Sequence, residues 1–250
     1  MRATVTPNDC QVVILAGGLG TRLRPLTEKC PKPLVDVKGK PYLHWQLEYL
    51  KQQGFKRVLI LTGYLGDQVE SEFADGRRLG LEIQYSHEPQ PMGTGGALLL
   101  AYDKLEPRFV LLMGDSFLQL DYSDFLARFG AKIDGQDMMA LMAVYDNSNG
   151  DTSVFENVNL DDKGIVIRYE KGAGLKGGCR FVEAGVYAVH KNIFDGQTLR
   201  VCSFEADLCA KAREQKRMAG FVSVDRFYDI GTPERLKNFE NVIEKMFKTS

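Results

Sequence analysis

Short apolar runs alternate with helical patterns along the first half of the chain. Val12–Leu15, Arg57–Thr62, Leu81–Tyr85 and Phe109–Met113 read as strands. Between the first two, Leu43, Leu47 and Leu50 recur at helical spacing behind Pro41, whose fixed φ suits a first helical position. Gly54 is placed to end that helix. Asp67–Phe73, Gly96–Leu105 and Tyr122–Phe129 follow as helices, and Met138–Tyr145 as an extended segment. This β-α-β-α rhythm predicts an α/β fold with a doubly wound, mainly parallel mixed sheet. Ligands of such sheets bind beyond the carboxyl ends of the strands.

The pattern changes in the second half. Ser153–Val158 and Ile165–Glu170 flank the polar turn Asp161-Asp162-Lys163-Gly164 and read as a hairpin. Phe181–Val189 is a long strand, Ser203–Lys216 a helix and Met218–Val224 another extended run. Thr232 is placed to cap a last helix with Pro233 first inside it, and Leu236, Phe239, Ile243, Met246 and Phe247 form its apolar stripe. That stripe suits a core or a twin subunit equally, so a homo-oligomer stays open. No linker rich in Pro, Gly or Ser divides the chain, which predicts one unit over residues 1–250.

Composition narrows the classes. With 250 residues, 44% of them apolar, a sizeable core is available. The net charge of -1 gives no basic excess for nucleic acid. No apolar run is long enough for a bilayer, and Met1–Cys10 lacks a signal-peptide core, so no membrane partner is expected. Five scattered cysteines without a C-x-x-C pair predict free thiols and a cytoplasmic setting. The three histidines show no metal-ligand spacing. Trp45 reads as helix packing, and Asp225 and Arg226 as a surface ion pair.

Candidate chemistry begins where the first strand stops. Leu15-Ala16-Gly17-Gly18-Leu19-Gly20-Thr21-Arg22 is followed by Pro31-Lys32-Pro33-Leu34. Glycines let backbone N–H groups approach a polyphosphate, and Arg22 and Lys32 supply the cations. A P-loop is excluded because Arg22 stands where its second glycine belongs, and the dinucleotide fingerprint because Leu23 replaces its third. Asp115 ends a strand after Gly114, and Glu183 interrupts the apolar run Phe181–Val186, where an unpaired buried charge is costly and the carboxylate must face solvent or a ligand.

These segments resemble the sugar-1-phosphate nucleotidyltransferases, from Val13 to about Leu236. The motifs that carry the resemblance are Leu15–Arg22 with Lys32, Gly93-Thr94-Gly95-Gly96-Ala97, Gly114-Asp115, Glu170-Lys171, Glu183-Ala184-Gly185 and Asp229-Ile230-Gly231-Thr232. The chain is most similar to the short bacterial group that includes heptose-1-phosphate guanylyltransferases and N-acetylmuramate-1-phosphate uridylyltransferases. The resemblance implies transfer of a nucleotidyl group from a nucleoside triphosphate to a sugar 1-phosphate, with release of pyrophosphate, for surface glycan synthesis. It implies a nucleotide-binding part over residues 10–145 and a sugar-phosphate-binding part over 146–250.

It also implies roles. Arg22, Lys32 and Asp115 are the catalytic candidates. Leu15, Ala16, Gly17, Gly18, Gly20, Thr21, Glu88, Gly93, Thr94 and Gly95 fall at nucleotide positions. Gly114, Glu170, Lys171, Glu183 and Gly185 fall at sugar-phosphate positions, and Asp115 and Asp229 at Mg²⁺ positions. A carboxylate at Glu88 suits the adjacent N1–H and 2-amino donors of guanine, which places GTP ahead of UTP, dTTP and CTP. A heptose or mannose-type acceptor goes with GTP by resemblance alone. A non-catalytic sugar-nucleotide sensor and a cytidylyltransferase of another phosphorylated acceptor are the alternatives.

Overall fold

The computed structural model describes residues 5–150 and 152–248; Met1–Thr4 of the polar N-terminal extension lie outside them. Strands β1 (Gln11–Leu15), β2 (Arg57–Thr62), β3 (Glu82–His87) and β4 (Arg108–Met113) are parallel, in spatial order β3-β2-β1-β4. Successive side chains of a strand point to opposite faces, and in β1, β2 and β4 both faces are covered, so these runs are almost wholly apolar, whereas the edge strand β3 is mixed. Val12 and Ile14 share one core with Leu43, Leu47 and Leu50 of α1 (Tyr42–Gln52). Phe239 and Ile243 of α6 (Pro233–Lys248) belong to it too. Val13 lies in the other core, with Leu98 of α3 (Gly93–Leu100), Phe204 and Leu208. Helices α2 (Gly66–Phe73) and α4 (Tyr122–Gly130) complete the nucleotide half, and Asp121 caps α4 by accepting from the Ser123 and Asp124 N–H groups.

The second half extends the same nine-stranded sheet. After the two-residue strand β5 (Ser116–Phe117), β6 (Ala140–Asp146) pairs antiparallel with β9 (Phe181–His190) and parallel with β10 (Met218–Ser223). β9 also lies antiparallel against β4. The hairpin β7 (Val158–Leu160) and β8 (Val166–Tyr169) joins β9 through Val158–Phe181 and meets β10 through an Ile165–Ala219 bridge. These five strands therefore run nearly full circle beside the parallel half. Among the described residues no helix is long and apolar enough to cross a membrane.

Several boundaries differ from the sequence reading. Pro41 caps α1 from outside rather than standing first within it. α3 starts at Gly93, not Gly96. Ser153–Glu156 is not a strand: Arg235 holds the Ser153 hydroxyl and carbonyl and Asn147 the Glu156 carboxylate, and backbone pairing with the neighbouring segments begins only at the Glu156 carbonyl and Asn157. The segment read as one helix over Ser203–Lys216 splits into a π-type turn at Phe204–Leu208 and a short α5 (Ala210–Glu214). Arg226 does not pair with Asp225 among the described residues; its guanidinium lies 4.8 Å from the Tyr228 ring centre, a cation–π contact. Trp45 packs as expected, its indole N–H donating to the Val37 carbonyl, and all five cysteines are free thiols.

Candidate active site

The carboxyl ends of β1, β2 and β4 open onto a cavity of about 640 Å³. The glycine loop forms one wall. Ala16 N–H donates to the Leu61 carbonyl (2.8 Å) and Gly114 N–H to the Leu15 carbonyl (2.9 Å), which pins the loop's start to both neighbouring strands. Its far end is closed by the Thr27 hydroxyl donating to the Gly20 carbonyl at 2.8 Å. Gly20 is left-handed (φ +62°), and a Cβ there would stand 2.9 Å from Thr27 Cγ2. Leu15, Ala16, Gly17, Gly18, Gly20 and Thr21 all line the cavity. A single helical turn from Thr21 to Leu23 buries Leu23 as an anchor and sets Arg22 on the cavity wall. A second turn, Lys32–Leu34, buries Pro33 and brings Lys32 to the same wall.

Lys32 Nζ stands 2.6 Å from Asp115 Oδ2. Burial alone would raise the Asp115 pKa, but the charge and hydrogen bond of Lys32, with help from Ser116 and Arg22, outweigh it and hold the carboxyl below its usual range. Asp115 still opens onto the cavity, with 36% of its side chain accessible. The two-residue strand β11 (Tyr228–Asp229) pairs with β5, placing Asp229 opposite Ser116. Asp229 Oδ1 accepts from Gly231 N–H (2.7 Å) and Arg235 Nη1 (3.3 Å), while its Oδ2 takes no hydrogen bond from the described residues. Asp115 Oδ1 takes a long one, 3.3 Å, from the Ser116 hydroxyl. Two carboxylates thus line one cavity. That donor set fits Mg²⁺, which binds through one or two carboxylates and completes its shell with water and phosphate oxygens. Among the described residues no third acidic, histidine or cysteine side chain joins them.

Near the Gly17–Gly63 edge of the glycine loop, Glu88, Gly93 and Thr94 line the cavity. Burial raises the Glu88 pKa, partly offset by Met92 N–H, which donates to Oε2 at 3.0 Å. Its Oε1 lies against Gly17 and Gly63, where added Cβ atoms would come within 2.3 and 2.6 Å of it. Gly95 is not on the wall; its N–H donates to the Cys202 carbonyl at 2.9 Å, so it packs α3 against the neighbouring segment. The Thr94 hydroxyl donates to Glu205 Oε2 (2.8 Å) and accepts from Phe204 N–H.

At the other end, Gly114, Lys171, Glu183 and Gly185 reach the cavity. Glu170 does not. Its Oε2 is held on the surface by Arg168 Nη2 at 2.6 Å, because side chains alternate across β8 and the following turn turns it outward. Gly185 is left-handed (φ +76°) at a register shift between β6 and β9, and a Cβ there would press on Ser116 at 2.6 Å. This bulge re-aims the strand so that Glu183 faces the cavity. Tyr169 Oη donates to Glu183 Oε2 at 2.9 Å. Burial, then the neighbouring charge of Glu205, pushes the Glu183 pKa up to about 7.

A raised acid pKa has a defined sign in stability. The neutral carboxyl is favoured in the fold, so its contribution is intact below the unfolded value near 4.5 and is lost as pH rises through about 7. Glu183→Gln, neutral at every pH, is expected to gain on the wild type by about 2 kcal/mol between pH 4.5 and 8, discounted for the open cavity. That is roughly 5 °C in the Tm difference. Parallel Tm–pH curves for the two proteins would count against this environment for Glu183.

Glu205, Arg235 and Asn157 also line the cavity and were not singled out from the sequence. Glu205 lay in a segment read as plain amphipathic helix, and Arg235 on the polar face of the last one. The available signal was a carboxylate next to the buried Phe204 and a basic residue three positions after the Thr232 cap.

A mixed α/β sheet whose parallel strand ends open onto one cavity lined by a glycine loop, cations, two aspartates and further carboxylates is the architecture of a nucleotidyltransferase. The chain belongs to the nucleotidyl transferase family, whose model matches residues 11–246. A D-glycero-alpha-D-manno-heptose 1-phosphate guanylyltransferase from Aneurinibacillus thermoaerophilus is 32% identical over 94% of this chain and 98% of its own length. The enzyme of that name from Campylobacter jejuni is 33% identical over 92% of this chain and 98% of its own. Among solved structures, HddC from Yersinia pseudotuberculosis complexed with GMP-PN superposes with a TM-score of 0.74 at 30% identity, over 95% of this chain and 99% of that one.

Proposed function

We propose that this protein transfers a guanylyl group from GTP to the phosphate of a heptose or mannose-type sugar 1-phosphate, giving a GDP-sugar and pyrophosphate. It does so as one unit, with the nucleotide held by residues 10–145 and the acceptor by 146–250. The reading rests on one arrangement: Arg22, Lys32 and Asp115 face Lys171 and Glu183 across a single cavity. The choice of base and sugar is supported by the near end-to-end match to relatives named as heptose 1-phosphate guanylyltransferases.

The nucleophile is a phosphate oxygen, already anionic near neutral pH, so no general base is needed. The obstacle is bringing two polyanions together, which calls for positioning and charge neutralisation. Lys171, exposed at the rim, receives the sugar phosphate. One of its oxygens bonds to the α-phosphorus in line as the bond to the bridging oxygen breaks, and pyrophosphate leaves with that electron pair. Arg22 neutralises the leaving group. Lys32 carries three donors, so it keeps Asp115 and still reaches the α-phosphate. Glu183 and the Gly185 backbone hold sugar hydroxyls. Asp115 and Asp229 would hold Mg²⁺, which when bound supplies further charge neutralisation. Glu88 accepts from guanine N1–H and the 2-amino group.

With Mg²⁺ and mannose 1-phosphate or a manno-heptose 1-phosphate, kcat/KM for GTP is expected to exceed that for UTP, dTTP and CTP by about tenfold or more. Preference for another triphosphate would overturn the guanine assignment.

A further inference from the structure

We propose that Arg235 is a positioning residue that ties the metal-side carboxylate to the acceptor wall. The inference rests on the reading of the cavity given above. Arg235 lies in the first turn of α6, where Thr232 accepts the Leu236 N–H at its carbonyl and caps the helix. Its guanidinium forks in two directions. Nη1 reaches Asp229 Oδ1 at 3.3 Å, while Nε and Nη2 donate to the Ser153 hydroxyl and carbonyl, each at 2.8 Å. Only about a fifth of the Arg235 side chain and a seventh of the Asp229 side chain are accessible, so the pair is shielded from competing water.

Each arm has a consequence. On one side, Arg235 and Gly231 N–H together occupy Asp229 Oδ1, while Oδ2 of this cavity-lining residue takes no hydrogen bond from the described residues and is left for a ligand. Outer groups of this kind orient a ligating carboxylate and limit it to one ligating oxygen. On the other side, Ser153 opens the segment Ser153–Asn157, which makes no strand of its own. That segment brings Val154 and Asn157 to the cavity, and Asn157 Oδ1 accepts the Glu183 N–H at 2.9 Å. The acceptor wall is therefore held at one end by Glu183 and at the other by Arg235. The nucleotide loop, pinned independently by Leu61, Leu15 and Thr27, does not depend on this fork.

A planar guanidinium serves both directions at once, whereas an ammonium is a point charge that serves one. Two variants separate the arms. Arg235→Gln is expected to raise both the acceptor KM and the Mg²⁺ concentration for half-activity about tenfold, with the GTP KM within about twofold of wild type. Arg235→Lys restores the charge beside Asp229 and is expected to recover the Mg²⁺ requirement but not the acceptor KM. Independently of turnover, amide hydrogen exchange over residues 153–157 of the ligand-free protein, read at Asn157, whose N–H donates to the Phe181 carbonyl, should quicken about tenfold in both variants, with the glycine loop unchanged. An Arg235→Gln protein with wild-type exchange at 153–157, or one whose only defect is in the GTP KM, would overturn the proposal. A wild type inert toward every triphosphate and acceptor would instead overturn the functional reading, and the exchange measurement would still decide on the fork.

Discussion

Asp115→Asn is expected to lower turnover by about three orders of magnitude or more while leaving Tm within about 3 °C of the wild type. The two effects separate because of where the carboxylate sits. Asp115 lies two residues past β4, contacts Lys32 at 2.6 Å and opens onto the cavity, where solvent screens part of the pair, so the fold loses only a modest contribution with its charge while the reaction depends on it. Asparagine keeps the shape and the Ser116 contact but removes the anion that orients Lys32 and would hold Mg²⁺. Steady-state rates and thermal unfolding of the same preparation check both halves. Turnover within tenfold of the wild type would remove Asp115 from the catalytic set. A collapse of Tm would make it a structural residue instead.

Gly114→Ala is expected to act the other way, through the fold. A Cβ at Gly114 would stand 2.2 Å from the Leu15 carbonyl oxygen and 3.0 Å from its carbon. Both are backbone atoms of the central strand, so no side chain can swing aside. The Gly114–Leu15 hydrogen bond must break and β1 must part from β4, at a cost of about 2–4 kcal/mol. Tm should fall by roughly 5–12 °C. Turnover should fall with it, since the next residue is Asp115. Gly18→Ala is the control: nothing lies within 4 Å of its added Cβ and its φ is ordinary, so stability should hold. A Gly114→Ala protein with wild-type Tm would contradict the close approach of the two strands.

The parallel half of the fold was legible because two simple periodicities govern it. Runs such as Val12–Leu15 are buried on both faces, and the Leu43, Leu47 and Leu50 spacing covers one of them. The glycine loop was legible because Gly20 has to be left-handed there and Arg22 and Lys32 follow at fixed distance along the chain. The acceptor half was less so. Ser153–Val158 reads as the first arm of a hairpin, yet Ser153 and Glu156 are held by the side chains of Arg235 and Asn147, residues outside that local pattern. Glu205 faces inward because the helix around it widens at Phe204–Leu208, a distortion that helical spacing does not encode. Glu170 and Lys171 are adjacent in sequence, but only Lys171 reaches the cavity, and the direction of the turn between them is set by the hairpin's pairing with β9.

The two halves of the chain contribute to the cavity by different local devices. Arg22 and Lys32 come from single turns in the first half and lie with Asp115 and Glu88. Glu183 and Glu205 come from a bulged strand and a widened turn in the second half and lie with Lys171 and Arg235, so both signs of charge line the one cavity. In the proposed function, a polyphosphate and a hydroxyl-rich acceptor take separate places in that one space. Its central claim is that the two are joined there. The most direct measurement is to incubate the protein with GTP, Mg²⁺ and a manno-configured sugar 1-phosphate, and to quantify every phosphorus species over time. Equal amounts of GDP-sugar and pyrophosphate, formed only when the acceptor is present, are the predicted result. Release of GDP and inorganic phosphate without acceptor, or no product from any triphosphate with any sugar 1-phosphate, would contradict it.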